Sequence, residues 1–450
     1  MIPTSTPTPV PGSTEGRAKV LARLGIGNAL EWFDWTIYAI FARFFAGQFF
    51  DATEPVSAVL STLAVFAVGF FARPFGGFLF GWIGDRSGRR TAMTVSVGLA
   101  AAGSLLIGAA PNYHRIGVGA SLLLLLARLA QGLAHGGELP SAQTYVAEVA
   151  PAQRRGLWSS FIYVSGTAGI MVGTLMGAVL ASTLSAPAMA AWGWRVPFLL
   201  GGALGIYALV MRRRMAETEV FEDAAAARAA DAGGRQPVWA LIARHRKQML
   251  QVIGITVGIT VVYYAWAIAA PGFAMSRGVD KSDALWAGVV ANLVFIAALP
   301  AWGALSDRIG RKPVSLGCCV ALAAAVFPLN AALGDTALRL GVTMSLALIL
   351  IAGPASIGPA LFAEIFPTRI RVMGFGVAYS LAVAVFGGTV PYLQTWAASH
   401  VGLAAFNGYV VAALLVSAAV VATLPETRGR SLVHPAAGED SLASATAKPA

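Results

Sequence analysis

Apolar residues fill this chain in long, nearly continuous runs separated by short polar loops. A transmembrane helix needs about 20 mostly apolar residues. Twelve runs of that size lie at about 20–45, 58–83, 91–111, 117–147, 156–182, 192–211, 248–275, 283–305, 314–333, 337–362, 370–395 and 402–424. They predict an all-α membrane protein with twelve spans. Composition agrees: 57% of residues are hydrophobic, 12% are charged and mean hydropathy is +0.70, against roughly 25% charged in a soluble domain. Many of the 50 glycines suit close helix packing, as in the doubled GxxxG face of Gly169, Gly173 and Gly177.

The polar interruptions carry more information than the runs. The first span contains GNALEWFDW, which places Glu31 and Asp34 inside the membrane. An ionisable residue at a span centre costs about 2.5–3.5 kcal/mol on insertion scales. On a helix, positions i, i+3, i+7 and i+10 share a face. In the first span that face is Asn28, Glu31, Trp35 and Tyr38, with Asp34 at its edge; in the fourth it is Arg128, Gln131, His135 and Glu138. The second span adds Arg73. Counted at about 1.5 Å per residue, Asp34, Arg73 and Glu138 fall near the middle of a bilayer about 30 Å thick. Both stripes are therefore expected to face a central cavity.

A buried carboxylate needs a cation or a proton, and Arg73 and Arg128 are the available cations. Asp34 and Glu138, with Glu31 as the third candidate, read as proton-coupling groups balanced by these arginines. Permanent Arg–carboxylate pairs joining helices are the alternative. His135 has an unperturbed pKa suited to proton transfer, or serves as a hydrogen-bonding residue alone. The second half is poor in buried charge. Its polar span residues include Tyr263, Tyr264, Asn292, Ser356, Tyr379, Ser380 and Gln394, which offer shape and neutral hydrogen bonds, or packing alone.

The net charge of +11 does not point to nucleic acid, because its distribution follows the membrane. Most of the 32 Lys and Arg lie in the segments that alternate to one side. Such asymmetry marks the cytoplasmic face, so both termini are expected there. Residues 1–16 lack an apolar core followed by a cleavage site, so the first span is expected to do the targeting. Residues 1–19 read as a disordered arm, 20–211 as one six-helix bundle, 212–247 as a charged linker, 248–424 as a second bundle and 425–450 as a disordered tail. Cys318 and Cys319 are the only cysteines and read as small apolar fillers. No metal-ligand spacing or cofactor motif is present, and protons are the expected coupling ion.

An internal repeat organises the spans. GWIGDRSGRR at 81–90 returns as GALSDRIGRK at 303–312, and AEVAPAQRRG at 147–156 returns as AEIFPTRIRVMG at 363–374. Each copy holds the same place in its six-span half. Two parallel six-helix repeats joined by a linker describe a carrier whose central site meets the two sides alternately.

These loops, with RLAQG in the fourth span, resemble the signature loops of the major facilitator superfamily over about residues 20–425. More narrowly, NALEWFDW, GFFARPFGG, QGLAHGGE and WGWRVPF look like the metabolite:proton symporter subfamily, which includes permeases for α-ketoglutarate, citrate, shikimate and proline/betaine. The resemblance implies a gate at the loops: Asp85, Arg86, Arg89 and Arg90 with Glu148, and their counterparts Asp307, Arg308, Arg311 and Glu364. The basic loop residues serve as topology signals in the alternative reading. Arg195, in WGWRVPF near the outer face, reads as an outer gate or a snorkelling anchor.

An Arg-rich cavity suits an organic anion, since the guanidinium fork matches a carboxylate. The expected substrate contacts are Arg73, Arg128, Gln131, Asn28, Tyr38, Tyr263, Tyr264, Asn292 and Tyr379. Moving one charge against 100 mV costs about 2.3 kcal/mol, which gives an anion importer a reason to take up protons. The stretch 375–396 and GYVVAALL look closest to the α-ketoglutarate and citrate/dicarboxylate permeases. A zwitterionic osmolyte symporter, a carrier of a shikimate-like acid and a drug/proton antiporter are the alternatives. No HExxH, GxSxG or Cys/His cluster argues for an enzyme, and no large loop argues for a receptor. One chain holds both halves, so a monomer is expected, in a bacterial inner membrane.

Overall fold

The computed structural model describes residues 14–51, 53–87, 89–136, 138–213, 244–334, 336–366, 371–430 and 432. The side chains of residues 14–24, 81, 84–90, 138–141 and 211–213 lie outside that description. So do most of the expected terminal arms and most of the linker. All the long elements are helices. The first half holds α1 (Thr14–Phe49), α2 (Pro55–Ser87), α3 (Arg89–Ala109), α4 (Val118–Ala134), α5 (Glu138–Val149), α6 (Arg155–Thr183) and α7 (Arg195–Arg213). The second holds α8 (Arg246–Ser276), α9 (Lys281–Ile309), α10 (Arg311–Ala332), α11 (Ala337–Ile365), α12 (Arg371–His400) and α13 (Leu403–Thr423).

Among the described residues, ten helices are long and apolar enough to cross a membrane. The other two spans are α1, interrupted by Glu31 and Asp34, and the pair α4–α5. An unbroken fourth span over 117–147 is the sequence expectation, and here the structure corrects it. The helix ends at Ala134 with His135 as its cap and resumes at Glu138. Two glycines follow His135, and Pro140, which has no backbone N–H, falls in the first turn of α5, where none is needed. Arg128, Gln131 and His135 lie on one side of this break and Glu138 lies on the other. The Glu138 side chain lies outside the described residues.

Glycines set how closely the helices meet. A Cβ on Gly132 would sit 2.0 Å from the Gly69 carbonyl oxygen, one on Gly76 1.9 Å from that of Leu133, and one on Gly136 2.1 Å from that of Arg73. α2 and α4 thus touch backbone to backbone at the level of Arg73. In α6, Gly169 meets the Ala29 carbonyl in the same way, at 2.0 Å. The halves meet chiefly where α6 packs on α9 and α11. α8 and α11 are the most enclosed helices. Both α8 and α12 widen into one π-helical stretch, Tyr264–Ala269 and Val383–Gly387. The stretches meet beside the centre, where a Cβ on Gly387 would lie 2.9 Å from the Tyr264 ring.

Gly132→Val should force α2 and α4 apart and destabilise the protein by about 1–3 kcal/mol or more. Thermal unfolding in detergent reads this. Gly27→Ala, at a glycine with nothing within 4 Å of its Cβ position, should leave the melting temperature unchanged.

Candidate functional site

α1 carries an aromatic ladder into the centre of the first half. Trp35 and Tyr38 are buried. Trp35 packs edge-on against Phe70 with ring centroids 4.6 Å apart, and Tyr38 stacks on Phe66 at 5.9 Å. These rings carry the two arginines. Both guanidinium carbons, of Arg73 and of Arg128, lie 4.0 Å from the Trp35 ring centroid. Arg73 also covers Phe70 at 4.6 Å, and Arg128 covers Tyr38 at 4.4 Å. A desolvated cation over an aromatic face gains about 2 kcal/mol. Nε of Arg73, and Nε and Nη2 of Arg128, are buried with no hydrogen-bond partner among the described residues.

The carboxylates lie on the other side of Gln131. Arg128 Nη1 donates to Gln131 Oε1 at 2.9 Å. Gln131 Nε2 donates to Asp34 Oδ2 at 3.1 Å and to Ser104 Oγ at 2.7 Å. The Ser104 hydroxyl in turn donates to Asp34 Oδ1. His135 stands between the two carboxylates of α1, with Nδ1 3.7 Å from Glu31 Oε1 and Nε2 3.6 Å from Asp34 Oδ2. Permanent Arg–carboxylate pairs are the alternative that the sequence leaves open. Instead Arg128 connects to Asp34 through an amide, and the imidazole is the basic group beside both carboxylates. The aromatic rings explain the difference, because they hold the guanidiniums by their faces.

A cavity lies between the halves. Trp32, Tyr163, Tyr263, Tyr264, Phe362 and Tyr379 form its aromatic wall, and Thr256, Thr260 and Ser315 add hydroxyls. Tyr264 backs onto Phe70 at 5.4 Å, so the cavity stops one ring short of Arg73. Of the other expected contacts, Asn28 donates to Ile162 O and Ser165 Oγ, tying α1 to α6. The Tyr38 hydroxyl donates to Thr62 O, and Asn292 to Gly288 O within α9. Their donors are engaged in this way, while the side-chain oxygens of Asn28 and Asn292 are buried with no partner among the described residues. Arg195 Nη1 donates to Gly108 O and Ala110 O, both at 2.8 Å. It caps the end of α3 inside one half rather than bridging the two.

At the repeat-loop end, ion pairs cross between halves with twofold pseudo-symmetry. Arg155 Nη1 meets Glu364 Oε1 at 2.7 Å, and Arg371 Nη1 meets Glu148 Oε1 at 2.6 Å. Each arginine also donates its Nε to the carbonyl eight residues earlier, Ala147 and Ala363. Asp307 caps α6 by accepting from Gly156 N and Leu157 N, both at 2.9 Å, and pairs with Arg311 at 2.7 Å. Gly156 and Gly303 bring the halves into backbone contact there, a Cβ on Gly303 lying 2.6 Å from the Gly156 oxygen. Glu148 thus pairs with Arg371, whereas the sequence reading offers it to Arg86, Arg89 and Arg90. The side chains of those three, and of Asp85, lie outside the described residues. The Arg308 side chain is exposed. Arg155 and Arg371 are absent from the sequence reading, although the repeated Glu followed by Arg seven positions on, at 148/155 and 364/371, is visible in it.

The segment after α13 finishes this assembly. Thr427 Oγ1 donates to Glu364 Oε2 at 2.6 Å, Arg155 Nη1 donates to Arg430 O at 3.0 Å, and Arg371 Nη2 donates to Leu432 O at 3.3 Å. Glu426 caps α10 by accepting from Arg311 N and Lys312 N. Burial alone would raise the Glu426 carboxyl; backbone N–H groups of Arg311, Arg428, Lys312 and Thr427 outweigh it and hold the carboxyl below its ordinary range. The opposite end is joined more lightly, by Ser182 and Ser282 at 2.8 Å. The two ends close around the cavity.

A family described as "Sugar (and other) transporter" matches residues 24–222 and 216–436. The chain is 35% identical over 428 residues to the α-ketoglutarate permease of Escherichia coli (strain K12), covering 93% of this chain and 96% of that one. It is 34% identical to the citrate-proton symporter of Klebsiella pneumoniae, covering 88% and 89%. A putative proline/betaine transporter of Staphylococcus haemolyticus (strain JCSC1435) is 33% identical, covering 92% and 89%. Among solved structures, a D-xylose-proton symporter superposes with a TM-score of 0.71 at 19% identity, covering 92% of this chain and all of that one.

Removing one partner of a buried pair costs about 3–5 kcal/mol. Glu364→Gln should therefore loosen the closed repeat-loop end. With Cys318 and Cys319 replaced by alanine, a cysteine introduced by Ser315→Cys in the cavity wall should react at least several-fold faster with a thiol reagent in that background. For Glu426 the folded-state value is depressed, so its stabilisation is present above the ordinary value of 4.5 and is lost as pH falls through the folded value. Glu426→Gln should lower the melting temperature at neutral pH and flatten its decline in acid.

Proposed function

Because the chain belongs to the sugar (and other) transporter family of the major facilitator superfamily, and so is a transporter and not an enzyme, we propose that it is a proton symporter for a small organic anion. The substrate proposed is α-ketoglutarate or a related di- or tricarboxylate. One observation carries the reading: two buried guanidiniums, Arg73 and Arg128, with N–H groups that no described residue accepts. A buried cation wants an anion or a hydrogen-bond acceptor, and a planar fork of donors fits a carboxylate. In this closed form the guanidiniums rest on Trp35. A loaded form brings substrate carboxylate to their free donors and turns Tyr264 and Phe70 aside. The names of the permease and citrate symporter relatives support the anion class.

Asp34, Glu31 and His135 are the groups proposed to take the proton, since the three lie within one turn of contact. Glu138 is a further candidate from the sequence. A dianion taken up with two protons moves no net charge, which removes the roughly 4.6 kcal/mol that 100 mV would otherwise oppose to it. The contacts between the halves, Arg155–Glu364, Arg371–Glu148 and the Asp307 cap on Gly156 and Leu157, act as the gate that must break for the cavity to open at the repeat-loop end. Charge-assisted pairs suit a two-state lock. The basic loops support a cytoplasmic position for that end, in a bacterial inner membrane, with the lipid bilayer as the surrounding partner and a monomer as the working unit.

A second reading has its own support. The cavity wall of Trp32, Tyr163, Tyr263, Tyr264 and Tyr379 is an aromatic box of the kind that holds quaternary ammonium groups. A betaine has such a group at one end and a carboxylate at the other.

External pH around proteoliposomes tests the main reading. Adding α-ketoglutarate should alkalinise the medium in a protein-dependent way, and Asp34→Asn should abolish the signal. An unchanged signal in Asp34→Asn moves the proton to Glu31, His135 or Glu138. Alkalinisation by betaine and none by α-ketoglutarate selects the second reading.

A further inference from the structure

We propose that Ser104 and Gln131 are positioning residues that pass the charge state of Asp34 to Arg128, with the Ser104 hydroxyl as the rotor that admits the proton. This rests on the proton-symport reading of Asp34 above. Arg128 has only donors to offer, so Gln131 must turn its Oε1 towards Nη1, 2.9 Å away. That fixes the amide. Both hydrogens of Nε2 then point to the far side, one at Asp34 Oδ2 and one at Ser104 Oγ. The single hydrogen of Ser104 points at Asp34 Oδ1. Every donor in the circuit runs one way, from guanidinium to carboxylate, and ends on two accepting oxygens. This is the pattern of an ionised Asp34.

Within the circuit the two oxygens of Asp34 meet a proton differently. Oδ2 faces an N–H that cannot reverse while Arg128 holds the amide. Oδ1 faces a hydroxyl, which accepts as readily as it donates. When Oδ1 takes the proton, the new O–H bond donates to Ser104 Oγ. The Ser104 hydrogen turns to the Ala100 carbonyl, one turn back in α3, the usual alternative acceptor for a helical serine. Ser104 Oγ then accepts from Gln131 and from Asp34 with its two lone pairs. Nothing in the circuit is left unsatisfied, but the negative charge at its end is gone. Arg128 is then without its compensating anion two hydrogen bonds away, and its free Nε and Nη2 are ready for a substrate carboxylate.

One titratable ring faces this circuit directly. His135 Nε2 faces Asp34 at 3.6 Å and Glu31 faces the other nitrogen of that ring. Arg73 is held on Trp35. α7 offers only Gly201, whose Cβ position lies 3.1 Å from Oδ1. Ser104 is wholly buried and carries no charge itself, which is why its role is positional.

The test is the dependence of KM on external pH, in proteoliposomes, for α-ketoglutarate or for betaine if the experiment above selects it. A hydrogen bond to a charged group is about twice as strong as one to a neutral group, so losing Ser104 harms the ionised carboxylate more. Ser104→Ala should move the midpoint of the KM profile upward by about half to one pH unit, with kcat within about twofold. Ser104→Thr, which keeps the hydroxyl, should restore the midpoint. Gln131→Met should flatten the profile by cutting the link to Arg128. Wild-type midpoints in both Ser104→Ala and Gln131→Met, with KM raised equally at every pH, overturn the proposal and leave a packing role. Proton-coupled uptake that survives in Asp34→Asn instead overturns the reading of Asp34 as the proton site.

Discussion

A full positive charge sealed inside an apolar bundle governs this structure. Arg128 has no exposure to solvent, and an ion that deep costs several kcal/mol unless its surroundings compensate. The protein compensates by three means at once. Trp35 and Tyr38 offer their ring faces, Gln131 offers one carbonyl, and the Asp34 carboxylate supplies the opposite charge at one remove. Each means fixes a helix. The rings set the rotation of α1, the amide sets that of α4, and Ser104 brings in α3. Gly69, Gly76, Gly132 and Gly136 are what allow α2 to come close enough for Arg73 to join the same ring. The glycine seam and the charged cluster are therefore one design.

The repeat-loop end obeys the same rule with a different outcome. There the buried cations Arg155 and Arg371 have full carboxylate partners, but each partner belongs to the other half. The charge balance of either half is incomplete alone. Closing this end satisfies both arginines together, and opening it leaves both unsatisfied until water enters. A lock with that property favours two end states over a continuum.

The sequence carried the architecture well. Each span from 20–45 to 402–424 has its helix, because a run of apolar residues in lipid has few alternatives to a helix. It failed at His135–Glu138, where two glycines and a proline outweighed a polar stripe that looked periodic. It gave Arg73, Arg128, Asp34, Gln131 and His135 as a group, since polar residues on facing stripes must meet. It did not give Ser104, because a serine in an apolar helix is unremarkable until its neighbour is known. Nor did it give the crossing of Glu148 to Arg371. That pairing depends on how two halves dock, and spacing within one half says nothing about it. Arg195 reads from its position as an outer gate or a snorkelling anchor, and which carbonyls it meets, Gly108 and Ala110 at the end of α3, depends on helix docking that spacing does not show.

The segment after α13 has a bearing on biosynthesis. Both gate arginines use backbone oxygens from Arg430 and Leu432, and Glu364 uses Thr427. These residues follow every span in the chain. Every span can be inserted before that lock has all its parts. A nascent carrier therefore reaches the bilayer with its repeat-loop end unfinished, and the closed end is set only after the last span has been made. Truncation or a rigid fusion close behind Leu432 would act on the assembled gate and not on insertion.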